Sequence, residues 1–173
     1  LHVAHISSAR GIDLVRDAKA RGVNVTAEVT PHHFSLIDEA VRSFDTNTKV
    51  TPPLRTEDDR QAILAALKDN TIDVIATDHS PHSWEEKAAE FLHAPFGIVG
   101  LETAMALGTS YLVDKDILSL KELVQKLALN PYRILRMEPP RIVPGQAANL
   151  TLLNPLQKWS FDSGRSLSRS TNT

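Results

Sequence analysis

Cysteine is absent from the 173-residue chain. No disulfide and no thiolate metal site can form, and histidine and the carboxylates are left as the only strong metal ligands. A cysteine-free composition also fits a reducing cytoplasm. There is no run of eighteen apolar residues and no charged leader followed by an apolar core, so neither a membrane span nor secretory export has support. Blocks of like charge are missing as well. The 19 Lys+Arg and 21 Asp+Glu leave a formal net charge of −2, without the basic excess that would point to nucleic acid or an anionic membrane. What remains, 42% hydrophobic and 23% charged, is the make-up of an ordinary globular domain. No internal repeat is present. The opening residues Leu1 to Ser8 start in mid-strand with no initiator methionine, so the chain reads as a piece of something longer.

The stretch Ala76 to His82, ATDHSPH, stands out from that background. It follows Thr71 to Ile75, whose β-branched apolar residues predict a buried strand, so Asp78 falls where strand gives way to loop. In parallel α/β folds the catalytic groups gather at the C-terminal ends of strands. With His79 and His82 beside it, Asp78 could serve metal binding or proton transfer. Taken alone, the same residues could equally be a capping aspartate with surface histidines.

The rest of the chain gives that strand companions. Ile12, Leu14, Val15 and Ala18 recur at helical spacing before Gly22, a C-cap position, and Val23 to Val29 alternates at period two. Strand, helix and strand in that order make a βαβ unit and a parallel sheet. The polar passage from Thr30 to Lys49 is too long for a tight connection and is a candidate functional loop. Pro52 and Pro53 hold Thr51 in extended backbone, and Thr56 N-caps a helix through Ile63, Leu64 and Leu67 that leads to the Asp78 strand. Ser83 to Pro95, with Trp84, Phe91 and His93, is expected to fold over a site and to be closed by Phe96-Gly97. Helices are expected over 98–112 and 120–129, the second with Ser119 and Glu122 in capping-box spacing. Leu150 to Leu153 reads as a short outer strand, and the tail from Ser163 as poorly ordered. His32 and His33, as neighbours on a regular strand, would face opposite sides and could not share an ion. His79 is assigned a structural hydrogen bond, and His2 and His93 are read as surface or packing residues.

Three strands with intervening helices, ending in His, paired His and Asp, predict an α/β fold: the last part of a (β/α)8 barrel, residues 1–138, with a small outer β segment and disordered tail over 139–173. A whole barrel needs roughly 250 residues, so a site built on this chain lacks its other side. Periodicity and spacing lead to a His-and-Asp site and do not name a substrate.

Five landmarks go further: His-Ile-Ser at 5–7, VTAEVTPHH at 25–33, KVTPPLR at 49–55, ATDHSPH at 76–82 and APFGIVGLET at 94–103. In this order they resemble the C-terminal part of the long-chain bacterial dihydroorotases, a family of the metal-dependent amidohydrolase superfamily. The resemblance implies barrel strands 6 to 8 and a zinc-dependent cyclic amidohydrolase that interconverts N-carbamoyl-L-aspartate and L-dihydroorotate in pyrimidine biosynthesis. It implies two zinc ions per complete site, with His5 as a ligand of the second and Asp78 as carboxylate ligand and proton shuttle. The remaining ligands, a His-x-His pair among them, would precede Leu1. His82 and the backbone around Phe96-Gly97 would take part in holding the substrate carboxylate, with an arginine from the absent half. Thr51 departs from the pattern, since the family usually has a substrate-contacting Asn there; Thr keeps one hydroxyl but lacks the amide's reach and second donor. Asn149 stands where Asp is commoner and is expected to affect only a turn. The expected partner is a small-molecule substrate, with homo-oligomers or association with aspartate transcarbamoylase also open. Within the superfamily, an allantoinase or hydantoinase is the nearest alternative. A non-catalytic dihydroorotase homologue that partners aspartate transcarbamoylase is the alternative of another class. The chain by itself is expected to be inactive.

Overall fold

The computed structural model describes residues 1–173. Three short strands, β1 (His2–Val3), β2 (Thr26–Val29) and β3 (Val74–Ile75), form a parallel sheet in the order β1-β2-β3. His2 pairs with Thr26 and Val3 with Ala27, while Glu28 pairs with Val74 and Val29 with Ile75. Helices α1 (Ala9–Ala20) and α3 (Glu57–Lys68) make the two crossovers and pack against each other. The expected βαβ arrangement is therefore present.

Local chemistry sets the ends of both helices. Ser8 Oγ accepts from Gly11 N at 3.2 Å, and Asp59 Oδ1 of α3 takes the Ala9 N–H at 2.8 Å, so two of the donors left open at the start of α1 are satisfied. Gly22 follows the C-cap Arg21 at φ +75°, a conformation that suits glycine. Thr56 caps α3, and Glu57, Asp58 and Asp59 complement its N-terminal dipole. Ile12 and Val15 of α1 and Ile63, Leu64, Ala66 and Leu67 of α3 bury their side chains on Ala27, Val29 and Ile75. Each large side chain so buried stabilises the fold by about 1.5–3 kcal/mol relative to exposure. Leu14, read as part of this apolar face, is instead exposed.

Ala27 and Val29 point into that core, so alternation turns Thr26 and Glu28, together with His2, toward the opposite, polar face. The other end of the sheet is bolted by charge. Lys19 Nζ lies 2.7 Å from Asp73 Oδ2, which also accepts from Ala27 N at 2.8 Å, and the buried Lys126 donates to Ile72 O at 2.7 Å and Asn70 Oδ1 at 2.9 Å. Burial pulls the Lys126 ammonium below its ordinary range.

Several expectations need correction. The passage from Thr30 to Lys49 is not an open loop: it holds α2 (Pro31–Ser35) and two tight helical turns, Asp38–Ser43 and Thr46–Thr48. Within the expected loop over 83–95, Ser83 and Glu86 form a capping box for α4 (Trp84–Lys87). The helix expected from Ile98 begins only at Ala104, because Ile98 bridges to His79 and its carbonyl accepts from Ser80 N at 3.0 Å. That helix, α5 (Ala104–Gly108), widens into a π turn over Thr109–Val113, where the Thr109 hydroxyl donates to Met105 O at 2.9 Å. Ser119 and Glu122 form the expected capping box on α6 (Leu120–Val124), which continues through a second π turn into α7 (Asn130–Ile134).

Residues 150–153 form no strand. Their alternating apolar side chains have no neighbouring backbone to pair with, and Leu150 and Leu152 are exposed. Nor is the end of the chain detached, since Ser170 and Asn172 are buried against the loops that follow β3. No helix is long and apolar enough to cross a membrane.

Candidate metal and substrate site at the strand ends

The ladder runs to the tip of each strand: Ile6 N donates to Glu28 O and Ala76 N to Val29 O, both at 2.9 Å. Just there, His5 at φ +50° and Asp78 at φ +47° both enter the left-handed region. Such backbone costs a non-glycine residue on the order of 1–3 kcal/mol and persists where the surroundings impose it. The two turns aim the side chains at each other, with His5 Nε2 and Asp78 Oδ1 3.8 Å apart and about 30% of each side chain exposed. The gap is too long for a hydrogen bond. It does fall within the span of two ligands of one ion, since zinc sits roughly 2.0–2.2 Å from imidazole nitrogen and carboxylate oxygen.

Glu28 stands behind His5. Its Oε1 lies 2.9 Å from His5 Nδ1, off the line of a hydrogen bond, which leaves Nδ1 buried without a bonded partner. A carboxylate on that side of the ring favours the tautomer whose Nε2 lone pair faces outward, the arrangement found behind metal-bound imidazoles. Glu28 Oε2 is 3.0 Å from His2 Nε2, and His2 Nδ1 is 2.7 Å from Thr26 Oγ1, so the polar face of β1 and β2 is one connected network. Sequence reasoning missed Glu28, whose signal was a carboxylate at a position alternating with buried residues on a short strand. His5 and Asp78 are this chain's two candidate ligands, and no group of three or more His, Asp or Glu able to hold an ion forms.

His32 and His33 sit on α2, so the strand argument for separating them does not apply; their rings lie 4.5 Å apart, tilted by 48°. His33 is occupied on both sides, with Nε2 donating to Pro52 O at 2.9 Å and Nδ1 accepting from the Thr30 hydroxyl at 2.6 Å. Burial lowers its pKa, consistent with a neutral structural role. His32 Nε2 is buried with no partner. Burial first, and then the neighbouring His33 and His5, push the His32 pKa down to about 3. Through Pro52 O, His33 fixes the segment that carries exposed Thr51, whose bond to Pro52 is cis.

The loop over 83–97 is held by two lysines that sequence reasoning also passed over. Lys49 Nζ donates to the carbonyls of Phe91, Leu92 and Ala94 at 2.7, 3.0 and 2.6 Å, and lies 4.7 Å from the centre of the Phe96 ring. Its own carbonyl accepts from Gly97 N at 2.9 Å, so one residue two places before Thr51 anchors both Phe96 and Gly97. Lys87, its pKa lowered by burial and then by Lys49, donates to Thr46 O and Pro95 O at 2.8 and 2.9 Å.

His82, Phe96 and Gly97 lie together. His82 Nε2 donates to Phe96 O at 2.9 Å, and Nδ1 lies 3.5 Å from Glu86 Oε2. Gly97 is at φ +141°, and a Cβ there would fall 2.6 Å from Ser80 Cβ and 3.0 Å from His82 Nε2. Only glycine fits. His79 makes its structural bond, accepting from Gly100 N at 3.1 Å. A polar cleft of about 300 Å³ opens beside His82, lined also by Asp45, Trp84 and Lys87.

Set beside known proteins, residues 1–167 match the Amidohydrolase family. The whole chain is 51% identical to a dihydroorotase of Syntrophus aciditrophicus and 49% identical to one of Geobacter metallireducens, covering 40% and 41% of those proteins. The chain thus spans about 40% of the length of the curated relatives it matches. Among solved structures, an L-hydantoinase (dihydropyrimidinase) from Arthrobacter aurescens superposes on 79% of this chain, and 31% of its own, with TM-score 0.74 and 27% identity. A Saccharomyces cerevisiae dihydroorotase in complex with 5-fluoroorotic acid superposes on 79% of this chain and 38% of its own with TM-score 0.69; at 18% identity this is a likeness of fold.

Proposed function

Because the chain belongs to the amidohydrolase family, we propose that it is the C-terminal part of a zinc-dependent dihydroorotase, contributing barrel strands 6 to 8 within residues 1–138. The reaction is the reversible cyclisation of N-carbamoyl-L-aspartate to L-dihydroorotate, a step of cytoplasmic pyrimidine biosynthesis. The observation that carries this reading is the pair of left-handed strand ends that bring His5 Nε2 within 3.8 Å of Asp78 Oδ1.

His5 through Nε2 and Asp78 through a carboxylate oxygen would hold one of two zinc ions, and the other ligands lie outside this chain. Zinc, when bound, makes a water acidic enough to attack near neutral pH and polarises the ring carbonyl. Asp78 takes the proton of the attacking water and delivers it to the ring nitrogen as the C–N bond breaks; in the biosynthetic direction the proton moves the other way. Glu28 keeps the His5 ring turned so that Nε2 stays available. His82 and the Phe96-Gly97 backbone hold the substrate carboxylate. Gly97 N–H is already donated to Lys49 O, which leaves the Phe96 N–H as the backbone donor free for that anion. His82 must exchange its bond to Phe96 O for one to substrate. Thr51 offers a single hydroxyl at the rim.

A second reading, hydrolysis of a hydantoin-like or allantoin-like ring, draws support from the structural likeness to hydantoinases and from Thr51 in place of the family's Asn. Turnover of dihydroorotate, hydantoin and allantoin by the complete zinc-loaded protein separates the two. A kcat/KM for dihydroorotate far above the others is expected, and preference for either other ring would overturn the assignment. Absence of turnover on all three, with upstream ligands replaced, would favour a non-catalytic partner of aspartate transcarbamoylase.

A further inference from the structure

The end of the chain, Arg169 to Thr173, has the composition of a loose tail, yet Ser170 and Asn172 are 5% and 3% exposed. Nothing apolar holds them there: Leu167 is almost fully exposed, and the residues between and after them are polar. Hydrogen bonds do. The Asn172 carboxamide donates both protons to carbonyls of two different segments, Ser80 O at 2.9 Å and Gly97 O at 3.1 Å. Its Oδ1 accepts from His82 N at 3.3 Å, and its backbone carbonyl accepts from Val99 N at 2.9 Å. Ser170 Oγ donates to His82 O at 2.6 Å and accepts from His82 N at 3.1 Å.

Each of the segments so joined carries a proposed site residue. Ser80 lies between Asp78 and His82, and Gly97 O belongs to the tight turn packed on the His82 ring. Few side chains could make this bridge. A carboxamide has two donors and an acceptor in one plane, whereas a carboxylate has no donor and a serine is too short to reach both carbonyls.

We propose that Ser170 and Asn172 are positioning residues that clamp the His82 main chain and Gly97 at a fixed spacing from Asp78, and so set the enzyme's affinity for the substrate carboxylate. The functional part of this rests on the dihydroorotase reading, and the clamp itself rests on the contacts above.

The test uses the complete zinc-loaded enzyme and its Asn172→Ala, Asn172→Asp and Ser170→Ala variants. Two readouts are taken: KM and kcat for dihydroorotate, and amide hydrogen exchange in peptides covering 80–83 and 96–99, with α1 and α3 as internal references. For Asn172→Ala, KM should rise about tenfold, with kcat within about threefold and zinc content unchanged. Exchange at 80–83 and 96–99 should quicken about tenfold or more while α1 and α3 keep their protection. Asn172→Asp, with the same shape but with a carboxylate oxygen facing the Ser80 and Gly97 carbonyls, should raise KM and quicken exchange at least as much as Asn172→Ala. Ser170→Ala should show the same pattern more weakly, which keeps the test informative if the Asn172 variants fold poorly. Unchanged exchange in both segments would overturn the clamp, as would an equal loss of protection in α1 and α3. Unchanged KM would overturn its role in affinity. If the wild-type enzyme does not turn over dihydroorotate, the functional reading fails, and exchange alone decides the clamp.

Discussion

Replacing Gly97 by alanine puts a methyl group where the structure has none to spare. The added Cβ would lie 2.6 Å from Ser80 Cβ and 3.0 Å from both His82 Nε2 and Ser80 O, at a φ of +141°. If nothing moved, crowding of this kind would cost about 1–3 kcal/mol and the backbone conformation about 1–3 kcal/mol more. Those costs are large against a net stability of about 5–15 kcal/mol, so the loop will give way instead. To bring Ser80 Cβ out to the 3.4 Å edge of ordinary contact, the two segments must part by at least 0.8 Å (3.4 less 2.6). That shift separates the Phe96-Gly97 backbone from His82 and loosens the Asn172 bridge between them. A misplacement of about 1 Å in a substrate-positioning segment can cost roughly 10²-fold, so Gly97→Ala should lower kcat/KM for dihydroorotate by about two orders of magnitude with zinc content intact. Gly22→Ala is the control, because Gly22 also has positive φ, +75°, but nothing lies within 4 Å of a Cβ there. It should lose about 1–2 kcal/mol of stability and no activity. Steady-state kinetics and thermal unfolding of the two variants check this. Gly97→Ala with kcat/KM within twofold of wild type would refute the close-approach argument.

His32 and Glu28 give two further tests. His32 titrates near 6.5 when unfolded but is held down to about 3 when folded, so its contribution to stability is complete above pH 6.5 and is lost as pH falls toward 3. The loss is about 1.4 kcal/mol per pH unit, and in urea unfolding between about pH 6.5 and 4 His32→Leu should flatten the pH dependence by that slope; equal slopes would contradict it. Glu28→Gln removes the carboxylate behind His5 and should weaken zinc binding by roughly 10- to 100-fold while leaving kcat near wild type at saturating zinc. Unchanged zinc affinity in a titration would mean that Glu28 serves only the His2 network.

What the sequence made legible was whatever rests on periodicity and capping. The β1-α1-β2 unit, α3 with its Thr56 cap, the Ser119 box and the placement of Asp78 at the end of β3 all followed from local pattern. Helix α2 carried its own signal, Thr30 as N-cap and Pro31 in the first turn, but the β-branched run before it suggested a strand continuing through the histidines. Leu150 to Leu153 has a strand's alternation, and alternation supplies no partner strand. The site residues that escaped notice share a physical cause. Glu28, Lys49, Lys87 and Asn172 are polar groups whose roles come mainly from partners 23 to 92 residues away, and no local pattern encodes such a partner. Likewise, that His5 and Asp78 would converge on strained backbone could be read from neither residue's neighbours.

The most direct test of the central claim, that His5 and Asp78 share an ion while Asp78 alone also moves the proton, is turnover and metal content of His5→Ala and Asp78→Asn in the complete enzyme across a zinc titration. His5→Ala removes a neutral nitrogen ligand, so its zinc content and rate should both recover in part as zinc rises. Asp78→Asn should stay slower than wild type by at least the roughly 10²- to 10⁴-fold of general acid-base catalysis, even with both metal positions filled. Near-normal turnover by fully metal-loaded Asp78→Asn would contradict the account.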